Sequence, residues 1–415
     1  MSGPRRSRFD RYLPDLARLN SRRLGSLAIP ALAVLSAFIV GSIFLIVTDL
    51  KHIAIIPTDP VGALTGAVGD VLNAYRALLL GAFGDPARFG TAIHTGTARD
   101  WATAFRPISE TLVAATPLMF TGLAIAVSFR SGVFNIGGDG QFVLGALGAT
   151  IVALALRDAP APITLVAALL GGVVFGAVWG FIPGFLKART GAHEVITTIM
   201  LNYVALQLVQ LALRTDFLRA SNSSQPISKV IDFVRVPALI PLPGLRLHWG
   251  FVAALLAALL VSWFLFRTTK GFELRSAGLN LTAARYAGMS AGGSIILAMV
   301  VSGMLAGLGG AFQVMGTVTQ MSNDVNSGYG WTAIALALLG GTRPGGVVAA
   351  ALLFGALNNG GHGMQVETSI PLDLLVFIQA LVIMFVAAPN LVRKLYRLKP
   401  KGAEPGAPAE EGAAA

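Results

Sequence analysis

The sequence predicts an all-α, polytopic helical membrane protein of about ten transmembrane helices, with broken or re-entrant segments among them. Three observations predict it. The 415 residues are 54% hydrophobic and 12% charged, where a soluble domain carries about 25% charged residues. Several stretches offer about 18 or more nearly uncharged residues, enough for a helix to cross roughly 30 Å of hydrocarbon. These stretches are continuous rather than alternating, so helices rather than barrel strands satisfy their backbone groups in lipid.

The spans follow in order. A basic segment, 1–26, precedes the first, 27–48, which is too long for a signal-peptide core and has no clear cleavage site after it. The outer segment 49–107 contains an amphipathic piece at 71–83 (VLNAYRALLLGAF) suited to a membrane surface. Spans 109–128 and 138–156 are divided by the polar, glycine-rich RSGVFNIGGDGQFVL (130–144). Span 163–186 carries Gly172, Gly176, Gly180 and Gly184 at every fourth position, one smooth face for close helix approach. Gly303 and Gly307 offer the same in span 291–316. Such a stripe serves either a seam between two pore subunits or a contact within one chain. Span 194–213 admits Glu194, Thr197, Thr198, Asn202 and Gln207, and the polar, proline-rich 214–249 leads from it to span 249–266. Spans 330–342 and 345–358 are short and separated by GGTRPGG, so they read as a hairpin that does not fully cross or as broken helices. Span 372–388 is the last, and the low-complexity tail 400–415 has too little apolar content to fold. The unit 27–399 is read as one transmembrane domain.

Lysine and arginine set the orientation. With both termini cytoplasmic, the basic runs 5–23 and 393–401, with Arg130, Lys187, Arg189, Arg343 and the loop after Arg267, fall on the inner face. The net charge of +11 then reflects cytoplasmic loops rather than nucleic-acid binding.

Several classes are disfavoured. There is no cysteine, so no disulfide or thiolate site. The five histidines lack metal-ligand spacing, and no HExxH or GxSxG motif occurs. No G-x-x-x-x-G-K-[ST] loop is present, so the chain is not expected to bind ATP itself. Spans 27–48, 163–186, 249–266 and 291–316 hold no mid-membrane acid, which weakens a proton-coupled carrier.

Three places remain for mechanism. The break at 130–144 sets Asn135, Asp139 and Gln141 among glycines, either as a pathway wall or as an ordinary turn in which Asp139 caps the next helix. Asn202 lies deep in its span, facing a pathway or bonding a neighbouring helix, while Glu194 suits a solvated first turn. The loop RTTKGFELRSAGLNLTAAR (267–285) alternates charge with good helix formers, and Asn280 is placed to cap LTAARYAGM. It reads equally as a short surface helix or a solvated connector.

Five segments in one order, GVFNIGGDGQFVLGALGA, GAHEVITTIMLNY, FELRSAGLNLTAARYAGM, SGMLAGLGGAF and GYGWTAIALALLGGTRPGG, resemble the membrane permeases of ATP-binding cassette importers. The resemblance covers roughly 105–390 and is strongest to the branched-chain amino acid and simple-sugar permease family, its nucleoside-type members above all. It implies a pore of two permeases, often different chains, a cytoplasmic ATPase pair that binds the ATP, and an extracytoplasmic binding lipoprotein. No cofactor or catalytic residue is implied for this chain, and its place would be the plasma membrane of a prokaryote. The loop 267–290 matches the ATPase-coupling segment, with Glu273, Arg275, Gly278, Asn280, Ala284 and Gly288 as its residues. For a nucleoside, Phe134, Asn135, Gln141, Asn202, Phe312 and Gln313 could supply aromatic surface and amide partners. The same set would suit a pentose, so a simple sugar or a branched-chain amino acid carried by the same class stays open as the alternative, with a self-contained secondary carrier or channel behind it.

Overall fold

The computed structural model describes residues 13–55, 57–221, 223, 225–368 and 370–396, with side chains only from 31 onward. The sequence readings for 1–12 and 397–415 lie outside these residues. The chain is 76% helix, with no strand among the described residues. In order the helices are α1 (Leu13–Thr48), α2 (Leu50–Ile53), α3 (Pro60–Phe83), α4 (Pro86–Thr95), α5 (Ala98–Arg130), α6 (Gly138–Ala155), α7 (Ala161–Thr190) and α8 (Glu194–Ala212). There follow α9 (Gly250–Arg267), α10 (Thr269–Leu279), α11 (Leu281–Tyr286), α12 (Ala291–Phe312), a π-helical segment (Gln313–Val318), α13 (Tyr329–Leu339), α14 (Pro344–Thr368), α15 (Leu372–Ala387) and α16 (Pro389–Leu395). Among the described residues, six elements are long and apolar enough to cross a membrane: α5, α6, α7, α8, α9, and α12 with its π segment. Shorter apolar helices lie at Ala31–Val47, Tyr329–Leu339 and Asp373–Val386.

The chain divides into two compact units, one comprising the chain up to Ala67 and from Val376 onward, the other Val68–Leu375. In the first, the Ser36 and Tyr396 hydroxyls meet at 3.0 Å and the rings of Phe44 and Phe377 lie 4.3 Å apart. In the second, α5 is the central helix. Every residue from Pro117 to Ser128 is buried, because α9, α12, α13 and α14 pack around it.

Glycine sets the closest packing in this unit. A Cβ on Gly176 would lie 2.2 Å from the Gly303 carbonyl oxygen, and one on Gly145 would lie 2.1 Å from Gly307 Cα. Gly172 and Gly180 meet Gly307 and Gly303 in the same way, and Gly184 meets Met299. The stripe on α7 is therefore used within the chain, against α12 and α6. The opposite face of α7 exposes Ile163, Val166, Leu170, Val174 and Val178.

Three elements differ from the sequence reading. The stretch 49–107 is mostly helical, and Gly81 of α3 sits against Gly360 and Gly363 of α14 instead of lying alone on a surface. The span read at 345–358 is α14, which continues to Thr368. Its apolar run ends at Asn358, but the Asn359 side chain donates 2.8 Å bonds to the carbonyls of Gly81 and Pro107, so the polar residues pack and the helix goes on. Finally, the α-helical part of span 291–316 stops at Phe312 and turns to π geometry. The widened turn frees carbonyls, and the preceding loop takes them up: the Val236 N–H donates to the Met315 carbonyl at 3.0 Å and the Ile231 N–H to Thr319 at 2.9 Å.

Candidate translocation site and coupling face

The glycine-rich break before α6 is a knot of buried amides. Asn135 is fully buried; its Nδ2 donates to Ser302 Oγ at 2.9 Å and to Gln141 Oε1 at 3.2 Å, and its Oδ1 accepts from the Gly137 N–H at 2.8 Å. Asn202 Nδ2 donates to the Ile136 carbonyl at 2.9 Å and its Oδ1 accepts from the Gly140 N–H at 2.8 Å. Backbone groups of an irregular segment need such partners where water is excluded. Gln141 keeps a buried Nε2 with no protein partner. Asp139 does not cap α6, whose N-terminus has no side-chain cap. It reaches across the unit instead, accepting from Asn326 Nδ2 at 2.7 Å and the Gly330 N–H at 3.0 Å. Glu194 is ion-paired with Lys187 at 2.6 Å rather than simply solvated.

A second cluster forms where α5, α6, α12 and α13 converge. The rings of Phe120 and Phe312 stack at 5.3 Å, Phe142 lies 5.6 Å from Tyr329, and His248 stacks on the other side at 6.5 Å from Phe312. Gln313, the first π residue, is buried. Phe312 thus joins this aromatic cluster, whose Tyr329 is the chain neighbour of Gly330, the α13 residue that donates to Asp139. Phe134 does not: it stacks on Phe129 at 4.6 Å and stays half-exposed. Sequence reasoning missed His248, Phe120, Asn326 and Tyr329. His248 lay in a loop with no ligand-like spacing, and nothing in SNDVNSG marks Asn326.

His248 is held neutral. Burial pushes its imidazole down to about 4, and its Nδ1 accepts from the Gly250 N–H at 3.1 Å. The unfolded chain therefore takes up the proton first. Stability is complete above about pH 6.5 and falls as pH drops toward 4. Melting of the detergent-solubilised chain at pH 7.5 and pH 5 should show this loss, and His248→Gln should shrink it. An unchanged pH difference in the variant would remove His248 as its source.

The loop 267–290 folds as α10 and α11, capped by Thr268 and Asn280, whose side chains accept from the Gly271 and Ala283 N–H groups at 3.0 Å each. Gly278 packs on the turn after α5, where a Cβ would lie 2.4 Å from the Arg130 carbonyl oxygen. Ala284 is buried, Gly288 has φ +78°, Glu273 pairs with Lys270 at 2.9 Å, and Arg275 lies 5.1 Å over the Phe266 ring. Of these six residues only Ala284 is buried; Glu273, Arg275 and Gly278 are half-buried, and Asn280 and Gly288 are exposed. The most exposed large apolar side chains of the loop belong to residues the sequence reading did not select, Leu279 at 90% and Tyr286 at 91% exposure. Both are large side chains left almost fully exposed on the two short helices.

Residues 108–387 match the family model described as branched-chain amino acid transport system / permease component. The chain belongs to this permease family. The permease is 35% identical over 385 residues to a guanosine ABC transporter permease protein of Bacillus subtilis, covering 92% of this chain and 99% of that one. It is 36% identical to a nucleoside ABC transporter permease protein of Lactococcus lactis, over 69% of this chain and 80% of the relative. A glucose ABC transporter permease protein of Haloferax volcanii is 34% identical over 70% and 78%. No solved structure matches the permease.

Proposed function

We propose that this chain is the membrane permease subunit of an ATP-binding cassette importer that carries nucleosides across a prokaryotic plasma membrane. The observation that carries the substrate class is the likeness, over nearly the full length of both chains, to a permease named for guanosine. The central cluster suits that cargo: the Phe120, Phe312 and Tyr329 rings offer faces for a planar base, and Gln313 and Asn326 offer amides for base or sugar. Phe120, Phe312 and Gln313 are buried and Tyr329 and Asn326 half-buried, so a solute meets the whole set only when the surrounding helices part. A separate cytoplasmic ATPase supplies the driving energy, since a carrier changes state only through a partner with differential affinity for its states. Leu279 and Tyr286 are its docking points, with Glu273, Arg275, Gly278, Asn280, Ala284 and Gly288 shaping the loop around them. Both termini then face the cytoplasm. A second permease chain completes the pore, and an extracytoplasmic lipoprotein delivers substrate. The glucose-named relative favours a simple sugar as the second reading.

Uptake of labelled guanosine, uridine, ribose and glucose decides between them, in vesicles holding the permease with its partner subunits, with and without ATP on the loop side. ATP-dependent accumulation of nucleosides alone is expected. ATP-dependent sugar uptake would move the cargo to the second reading. Gradient-driven uptake by the chain without partners would overturn the class.

A further inference from the structure

The cytoplasm-facing loop borders an open cleft whose lining does not include Leu279 or Tyr286. Its volume is about 670 Å³, between the end of α9, α10 and the turn before α12. Arg267, Lys270 and Arg275 line it together with Phe266, Phe272 and Met289, and Glu273 is its one acid. Glu273 is engaged by Lys270 at 2.9 Å. Arg275 has a buried Nε without a hydrogen-bond partner, and Arg267 has no ion pair among the described residues. The cleft therefore carries two cations beyond its internal pair.

Its position narrows the occupant. Arg267 is the last residue of a span and Ala291 opens the next, so the cleft lies at the level of the membrane–water boundary. Leading to it along α9 is an exposed apolar track, Leu256, Leu259, Leu260, Trp263 and Phe266, at the three- and four-residue spacing of one helix face. Trp263 sits one turn before Arg267, where an amphipathic ring prefers the headgroup level. An apolar track that ends in a basic, partly aromatic cleft has the chemistry of one amphiphile with an anionic head.

We propose that this cleft binds the phosphate headgroup of an anionic phospholipid of the inner leaflet, with its acyl chains along α9. The inference rests on the cytoplasmic orientation given above but not on the nucleoside cargo. Juxtamembrane cations attract anionic headgroups strongly enough to make the lipid a resident of the loop, and that lipid would brace α10 against α9.

The test uses the purified full chain in detergent, titrated with phosphatidylglycerol or phosphatidylcholine, with bound lipid counted by native mass spectrometry. Preferential retention of phosphatidylglycerol is expected, with affinity falling roughly 30-fold in Arg267→Gln/Arg275→Gln and roughly fivefold in Arg267→Gln alone. The single variant carries the test if the double one does not fold. Phosphatidylcholine should bind equally to all three, and excess inorganic phosphate should not displace phosphatidylglycerol. Equal phosphatidylglycerol binding by wild type and variants overturns the proposal, as does displacement by inorganic phosphate, which would make the cleft a free-anion site. Unchanged lipid binding with lost ATPase co-purification would also overturn it and assign the cleft to the ATPase. Uptake of nucleosides is scored separately, so failure here leaves the transport reading standing.

Discussion

Replacing Gly176 with leucine will abolish the folded permease. A Cβ at this position would stand 2.2 Å from the Gly303 carbonyl oxygen and 2.8 Å from Gly307 Cα. Both are backbone atoms, which cannot step aside as a flexible side chain can. Relief requires α7 and α12 to separate along the stripe that also holds Gly172 and Gly180. Overpacking of an ordinary core costs about 1–3 kcal/mol, and a whole side chain driven between two helix backbones should exceed ~3 kcal/mol. In a membrane, where helix association draws on van der Waals contact rather than on water exclusion, separation forfeits that contact. The comparison is Gly292→Ala, whose Cβ would meet nothing nearer than 3.6 Å. Membrane yield and melting temperature in detergent should fall steeply for the first and hold for the second. Similar behaviour of the two would refute close helix approach as the role of Gly176.

Aspartate at Leu279 or Tyr286 is expected to uncouple transport without unfolding the chain. Each side chain is about nine-tenths exposed, so the substitution leaves no cavity and no buried charge. If an ATPase docks here, a charge placed in its apolar contact should weaken association by ~2 kcal/mol or more, roughly 30-fold. Asn280→Ala gives the contrasting result. It removes the α11 cap, costs about 1 kcal/mol of local stability, and should depress uptake only as far as α11 frays. ATP-driven uptake and ATPase co-purification would be measured together with melting. Normal uptake in both aspartate variants would place the docking surface elsewhere.

What was legible in the sequence and what was not divides along physical lines. The apolar runs of α5 to α9 and of α12 announced themselves, because crossing hydrocarbon demands composition and length and little else. α14 did not. Its second half is written in asparagine, glycine and histidine, which read as a loop until Asn359 is seen bonding two carbonyls of other helices. The break before α6 was conspicuous, but its meaning was not. Asp139 read either as part of a pathway wall or as the cap of α6; it leaves α6 uncapped and accepts from Gly330 of α13, which depends on a residue 191 positions later. In the loop 267–290 the recognisable residues are the small and capping ones, because these leave strong local signatures. Leu279 and Tyr286 carry no pattern at all, and only exposure reveals them. Phe134 and Phe312 were grouped by residue type and stand in different clusters.

The π segment has a consequence for chain length. A π turn holds one residue more than the α turn it replaces, so Gln313–Val318 is the site where α12 carries a surplus residue. Removing one residue there would let α geometry run on with the residues beyond it still near their present faces, because the wider turn already absorbs the extra one. The carbonyls that the wide turn frees would return to the helix, and the Val236 and Ile231 N–H groups would lose Met315 and Thr319 as acceptors. A deletion over these six positions therefore strikes the loop 214–249 more than the helix itself. The surplus residue is what lets α12 hold that loop.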